Sequence, residues 1–132
     1  MSRILVGEDN PHNARLIATV LEEAGYAVRM ASTGKEVIHE VAHAGYALVI
    51  IDLSMPDMDG WSVLAAVRDL HGKRDLPALG ISGYANDVGT ARFHRAGFDA
   101  FVRKPIARPE LLSKVEALIG NGTRRIDPCP AG

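Results

Sequence analysis

Short apolar runs and stretches of helical period alternate five times along this chain. The runs are Arg3–Gly7, Ala27–Ala31, Ala47–Ile51, Ala78–Ser82 and Ala100–Val102. In the third, Leu48-Val49-Ile50-Ile51 has no polar alternation, the pattern of a central strand covered on both faces. The first helix is predicted to open at Asn10 with Pro11 in its first position, to bury Ala14, Ile17, Ala18, Leu21 and Ala24, and to stop at Gly25. The second begins at Thr33, with Glu36 completing a capping-box pattern; it buries Val37, Ile38, Val41 and Ala42 and stops at Gly45. The third carries Trp61, Leu64, Val67 and Leu70 and ends before Gly72. The fourth, Asp87–Ala96, is the weakest: Gly89 interrupts it, and its apolar face is thin, limited to Val88, Ala91 and Phe93. The fifth starts near Pro109 and buries Leu111, Leu112, Val115, Leu118 and Ile119. The stretch 121–132 has no periodicity and reads as a flexible C-terminal tail.

Strict strand–helix alternation dictates a parallel sheet with right-handed crossovers and helices on both faces. Five strands in 132 residues fit the α/β class, as a flavodoxin-like doubly wound sheet of order 2-1-3-4-5 with five helices. The length suits one domain, here 1–120, ahead of the tail.

Composition narrows the field. Hydrophobic residues make up 47% and charged residues 23%, the balance of a water-soluble globular domain. A net charge of −1 offers no electrostatic footprint for nucleic acid or a membrane surface. No apolar run approaches the roughly 20 residues of a membrane span, and no signal peptide is visible, so a cytoplasmic location is expected. The single cysteine, Cys129, leaves no internal disulfide to form. The five histidines lack the spacing of a closed zinc site; His39 and His43 stand at i, i+4 with no second ligand pair, and surface histidine is the default reading.

Chemistry gathers where the strands end. Glu8 and Asp9 follow the first strand, Asp52 follows the third, Ser82 ends the fourth with Gly83 after it, and Lys104-Pro105 follows the fifth. In an open α/β sheet those carboxyl ends share one edge, where such sheets place their sites. Three clustered carboxylates suit Mg²⁺, which prefers oxygen ligands, and the lysine ammonium suits a phosphoryl oxygen. Asp57 and Asp59, before the third helix, read as capping residues. Proline after Lys104 fixes the local backbone and is compatible with a cis peptide.

The succession Glu8-Asp9, Asp52, Met55-Pro56-Asp57-Met58-Asp59-Gly60, Ser82, Phe101 and Lys104-Pro105 resembles the CheY-like receiver domain of two-component response regulators. Gly7-Glu8-Asp9-Asn10-Pro11, with Asn13 and Arg15, is most similar to single-domain receivers of the DivK type and to hybrid-kinase receivers. The resemblance runs from Arg3 to about Gly120 and implies the following roles. Asp52 is the phosphoacceptor. Glu8, Asp9, Asp52 and the backbone carbonyl of Ser54 hold Mg²⁺. Lys104 pairs with the phosphoryl group and Ser82 bonds to it on activation. Phe101 is the aromatic switch, with Phe where Tyr is common, and Tyr84 lies over the mouth of the site.

The implied partners are a histidine kinase or histidine phosphotransfer protein, met by the first helix and the Lys104-Pro105-Ile106 loop. A downstream protein effector would dock on the fourth helix, fifth strand and fifth helix, near Phe93, Phe101, Arg103 and Ile106. The methionine start and the lack of an output segment read as a stand-alone phosphorelay switch that assists only its own phosphorylation and dephosphorylation. The alternatives are a receiver excised from a hybrid kinase and an Mg²⁺-dependent aspartyl-phosphate phosphatase. The second of these would need an acid two residues after the nucleophile, where this chain has Ser54. An FMN-binding flavodoxin would need a hydroxyl-rich loop where Gly7-Glu8-Asp9-Asn10 stands.

Overall fold

The computed structural model describes residues 2–70, 75–83 and 90–126, with only the backbone of 90, 91 and 121–126. In chain order the elements are β1 (Arg3–Gly7), α1 (Pro11–Glu23), β2 (Ala27–Ala31), α2 (Gly34–His43), β3 (Leu48–Asp52), α3 (Gly60–Asp69), β4 (Ala78–Ser82), α4 (Thr90–Ala96), β5 (Ala100–Arg103) and α5 (Arg108–Ile126). All four strand pairings are parallel, in the order β2-β1-β3-β4-β5. This is the doubly wound architecture that the alternation predicts.

Side chains alternate across the sheet and so feed two cores. One face of the strands packs against α1 and α5 through Ile4, Val6, Ile50, Leu79, Ile81, Ile17, Leu21, Leu111 and Val115. The other packs against α2, α3 and α4 through Leu5, Val49, Ile51, Val37, Val41, Leu64, Val67, Phe93 and Phe98. β3 and β4 are buried along their whole length, as strands covered on both faces must be.

Caps set where the helices begin. The Asn10 side chain accepts from His12 N–H at 2.9 Å and Asn13 N–H at 3.2 Å, opening α1. Asp59 accepts from Ser62 N–H at 2.8 Å, opening α3. At α2, Thr33 accepts from Glu36 N–H at 3.1 Å, but the Glu36 carboxylate reaches past Thr33 to Ser32, at 2.8 Å from its N–H and 2.9 Å from its hydroxyl. The capping box is thus displaced by one residue.

Several boundaries differ from the sequence reading by a residue or more, and two of them matter here. β3 includes Asp52 itself, since Asp52 pairs in register with Ile81 of β4. α5 runs on to Ile126, whereas periodicity ends it near Gly120. Gly120 and Gly122 each cost a helix only about 1 kcal/mol relative to alanine, too little to end it. The first residues expected of the fourth helix, 87–89, and Tyr84, His71, Gly72 and Cys129 lie outside the described residues.

At the far end of the sheet from the acids, the Arg68 guanidinium ties α3 to two other segments. It donates to the Leu76 carbonyl and, at 2.7 Å, to the Gly97 carbonyl just after α4, and it stands 3.5 Å from Asp99.

Candidate functional site

The carboxyl ends of β1, β3 and β5 bring Glu8, Asp9, Asp52 and Lys104 into one crevice. Glu8 and Asp52 are 2% and 1% exposed, while Asp9 is open to solvent. One carboxylate oxygen from each of the three acids lies within 4.8 Å of the other two. Lys104 Nζ donates to Asp52 Oδ2 at 2.7 Å and stands 3.4 Å from Glu8 Oε1. The backbone N–H of Ser54 donates to Asp52 Oδ1 at 2.8 Å, so both phosphoacceptor-candidate oxygens face positive or dipolar donors. The Asn10 N–H donates to Glu8 Oε2 at 3.2 Å. Glu8 Oε1 is buried and accepts no hydrogen bond from the described residues.

Electrostatics follow from this crowding. Burial pushes the Glu8 carboxyl up to about 7, and Asp52 beside it adds to the rise; the Asn10 N–H and the Lys104 charge pull the other way. Burial draws the Lys104 ammonium down, but its hydrogen bond to Asp52 and the charges of Asp52 and Glu8 outweigh that and leave it above the ordinary lysine value. One lysine therefore serves two buried carboxylates, with a third acid at the rim. A buried carboxylate oxygen with an ion pair but no hydrogen bond, beside two further acids, fits a hard divalent cation that takes oxygen ligands. The donor set holds no sulfur or imidazole that would select a softer metal.

Local packing explains the precision. Gly60 begins α3 directly against the acid-bearing strand: a β-carbon there would lie 2.7 Å from Leu53 Cα and 2.8 Å from the Asp52 carbonyl oxygen. Only glycine permits that approach. Asp57 closes the same loop from its other side. Its carboxylate accepts from Gly34 N–H at 2.8 Å and Lys35 N–H at 3.1 Å, capping α2 rather than the helix that follows it in sequence. Those bonds hold its carboxyl below the usual aspartate range. No local pattern signals a cap across 23 residues. Asp59 caps α3 as its position predicts.

The remaining candidates fall in two places. Ser82 is buried at the end of β4, and its carbonyl accepts from Lys104 N–H at 2.8 Å, so the β4 and β5 ends stay together at the crevice. The Lys104–Pro105 peptide is cis. Phe101 belongs instead to the α3–α4 side of the sheet. Its ring stacks on Phe93 with centroids 4.1 Å apart and planes 6° from parallel. Lys114 donates to the Phe101 carbonyl at 2.7 Å, and its ammonium lies 5.2 Å from the ring centroid. Phe93 in turn meets Trp61 at 5.1 Å and Phe98 at 5.7 Å. Sequence periodicity placed Phe93 on a thin face and had no signal for this cluster; the space for it is made by Gly80, where a β-carbon would lie 2.9 Å from Phe93 Cε1.

Comparison with known proteins agrees with this geometry. The family model described as the response regulator receiver domain matches residues 4–116. An uncharacterized 14.6 kDa protein of Leptolyngbya boryana is 32% identical over 86% of this chain and 86% of its own length. Other curated relatives are longer, and the chain spans between 7% and 54% of them; they include sensor kinases and transcriptional regulators. Among solved structures, a CheY-like receiver domain protein from Methanospirillum hungatei superposes with a TM-score of 0.86 at 26% identity, over 95% of this chain and 98% of that one. The receiver domain of sensor histidine kinase PA1611 from Pseudomonas aeruginosa, solved with a magnesium ion in its active-site cleft, gives 0.80 at 28% identity over 90% and 98%. No described helix is long and apolar enough to cross a membrane. The fold, the acid crevice and these matches together make the chain a member of the response regulator receiver domain family, a phosphoacceptor module of two-component signalling.

Proposed function

We propose that this chain is a single-domain response regulator that accepts a phosphoryl group from a phosphohistidine onto Asp52 and so switches its partner binding. The observation that carries this reading is the Asp52 carboxylate, buried at the end of the central strand with Lys104 Nζ 2.7 Å away and two further acids beside it. A carboxylate attacks phosphorus in line: an O–P bond forms, the N–P bond breaks, and the electron pair leaves with the imidazole of the donor. Charge accumulates on the phosphoryl oxygens, so catalysis is largely positioning and charge. Lys104 neutralises part of that charge. Asp52 is held against rotation by the Ser54 N–H, and Glu8 and Asp9 complete an acidic rim that repels anions until it is neutralised.

Mg²⁺ is the cation this oxygen set fits, held by Glu8, Asp9, Asp52 and the Ser54 carbonyl; when bound it supplies positive charge to the phosphoryl oxygens. The magnesium reported in the PA1611 receiver domain supports that choice. Ser82 donates its hydroxyl to the arriving phosphoryl group. Phe101 then changes packing against Phe93, which couples the site to the face made by α4, β5 and α5. That face receives the downstream protein effector, while the phosphoryl donor, a histidine kinase or histidine phosphotransfer protein, approaches the crevice. The setting is cytoplasmic. The domain has no external substrate to turn over.

Incubation with acetyl phosphate and Mg²⁺ followed by intact-mass measurement tests the assignment. One phosphoryl group per chain is expected, with none on Asp52→Asn. Full labelling of that variant rejects Asp52 as the acceptor.

The stand-alone reading rests on the 86% coverage of a 14.6 kDa relative. The sensor kinase of Vibrio cholerae, of which this chain matches only 17%, favours the alternative of a receiver within a hybrid kinase. The size of the native protein on an immunoblot separates the two.

A further inference from the structure

α2 presents two histidines one turn apart at its carboxyl end. His39 and His43 are both exposed, and their ring centroids lie 4.3 Å apart with planes tilted by 33°. His43 Nδ1 lies 2.8 Å from the backbone carbonyl oxygen of His39. A carbonyl oxygen only accepts, so Nδ1 carries the proton in that contact, and in the neutral ring the lone pair then sits on Nε2. Histidines that bind metals adopt this arrangement: one nitrogen is fixed by a carbonyl and the other is presented to the ion.

The spacing fits chelation. Two imidazoles bound side by side to one ion, each nitrogen about 2.1 Å from it, have ring centres roughly 4.5–5.2 Å apart; the observed 4.3 Å needs the rings to open by only a few tenths of an ångström. His43 is the last residue of α2, where the helix dipole favours a cation. The nearby carboxylates are engaged elsewhere, Glu40 with Arg29 and Tyr46 and Glu36 with Ser32.

We propose that His39 and His43 form a two-histidine chelate for a late first-row divalent ion of the Ni²⁺, Cu²⁺ or Zn²⁺ type, with water in the remaining coordination positions. Imidazole donors select these ions over Mg²⁺. The site is separate from the acid crevice. The crevice lies at the amino ends of the helices, where Asp57 meets Gly34, while His43 closes the ten-residue helix at its other end. At 1.5 Å per residue that is about 14 Å along the axis. The proposal stands or falls independently of the phosphoacceptor reading.

Calorimetric titration of the untagged full-length chain with NiCl₂, in excess Mg²⁺ to occupy the acids, tests it. One Ni²⁺ per chain is expected. A chelate needs both rings, so His39→Gln and His43→Gln should each weaken binding by about a hundredfold. Both positions are exposed, so the metal-free thermal midpoint should stay within error of the parent, and the rise in midpoint that Ni²⁺ causes should vanish in both variants. Affinity that changes less than about threefold in either variant overturns the proposal. So does a halved stoichiometry in each, which marks two independent single-histidine sites, or loss of Ni²⁺ binding in Asp52→Asn with both histidines intact.

Discussion

The two sides of the sheet are built from different material. The buried core cluster of the α1–α5 side is made only of Val, Leu and Ile. The α2–α3–α4 side buries Phe93 and Phe98 and packs Trp61 and Phe101 against them. Branched aliphatic chains interlock in a few rotamers and fill space from all directions. Flat rings make stacked and edge-on contacts that have a small number of distinct alternatives. The first side is therefore suited to fixing the strands, and with them the crevice. The second is built of contacts that have alternatives, and it carries the aromatic candidate for the switch. The crevice stands where both sides end, so it adjoins both kinds of packing.

The largest test of this contrast removes bulk from the aliphatic side. Ile50→Ala, at a fully buried position, should lower unfolding free energy by about 2–5 kcal/mol in urea melts. The acetyl-phosphate labelling of molecules that remain folded should be unchanged. A comparable loss of labelling at equal folded fraction would show that this side takes part in the switch.

Next comes overpacking on the aromatic side. Gly80→Ala places a methyl against Phe93 and Phe98 and should cost about 1–3 kcal/mol. Phe93→Leu in the same molecule should relieve most of that cost, a coupling a double-mutant cycle reads directly. Additive losses would mean that the Gly80 hole does not serve Phe93.

Phe93→Leu alone should cost less, about 1 kcal/mol. It should leave labelling at Asp52 intact while shrinking the change in Trp61 emission on phosphorylation, since Trp61 is the only tryptophan and touches Phe93. An undiminished emission change would place the relay outside the Phe93–Phe101 stack.

The smallest effect distinguishes the helix caps of the two sides. α1 is capped by the neutral Asn10, whereas α2 adds carboxylates to its Thr33 cap: Asp57 is held low by the N–H groups of Gly34 and Lys35, and Glu36 by the Ser32 N–H and hydroxyl. A carboxyl lowered in the folded state stabilises it above the unfolded pKa, and that contribution fades as pH falls through the folded value. Amide exchange at Gly34 and Lys35 should therefore accelerate below about pH 4 relative to His12 and Asn13. Asp57→Asn should abolish the difference. Parallel acceleration at both helices would remove the distinction.

The same asymmetry governed what was legible in the sequence. The aliphatic strands announce themselves as unbroken runs, and each candidate of the crevice follows one directly, so strand order alone brings Glu8, Asp9, Asp52 and Lys104 to one edge. The aromatic cluster left no such trace. Phe93, Phe98 and Trp61 belong to no single pattern in the sequence, and the vacancy that Phe93 and Phe98 share is a glycine in a strand, which by pattern is only a weak spot. Asp57 was legible as a cap but not as the cap of α2, because side chain–backbone bonds between distant segments exist only once the chain has folded. α5 outlasts its apolar stripe because a helix already anchored at Leu111 and Val115 propagates at little further cost.

Arg68 gives the aromatic side a fixed point. By gripping the carbonyls of Leu76 and Gly97, it pins the trailing end of α4 to the frame of the domain. Any swing of that helix is then a door's motion rather than a drawer's, wide at the leading edge and near zero at the hinge. A protein that senses the swing has most to gain by gripping α4 far from Gly97.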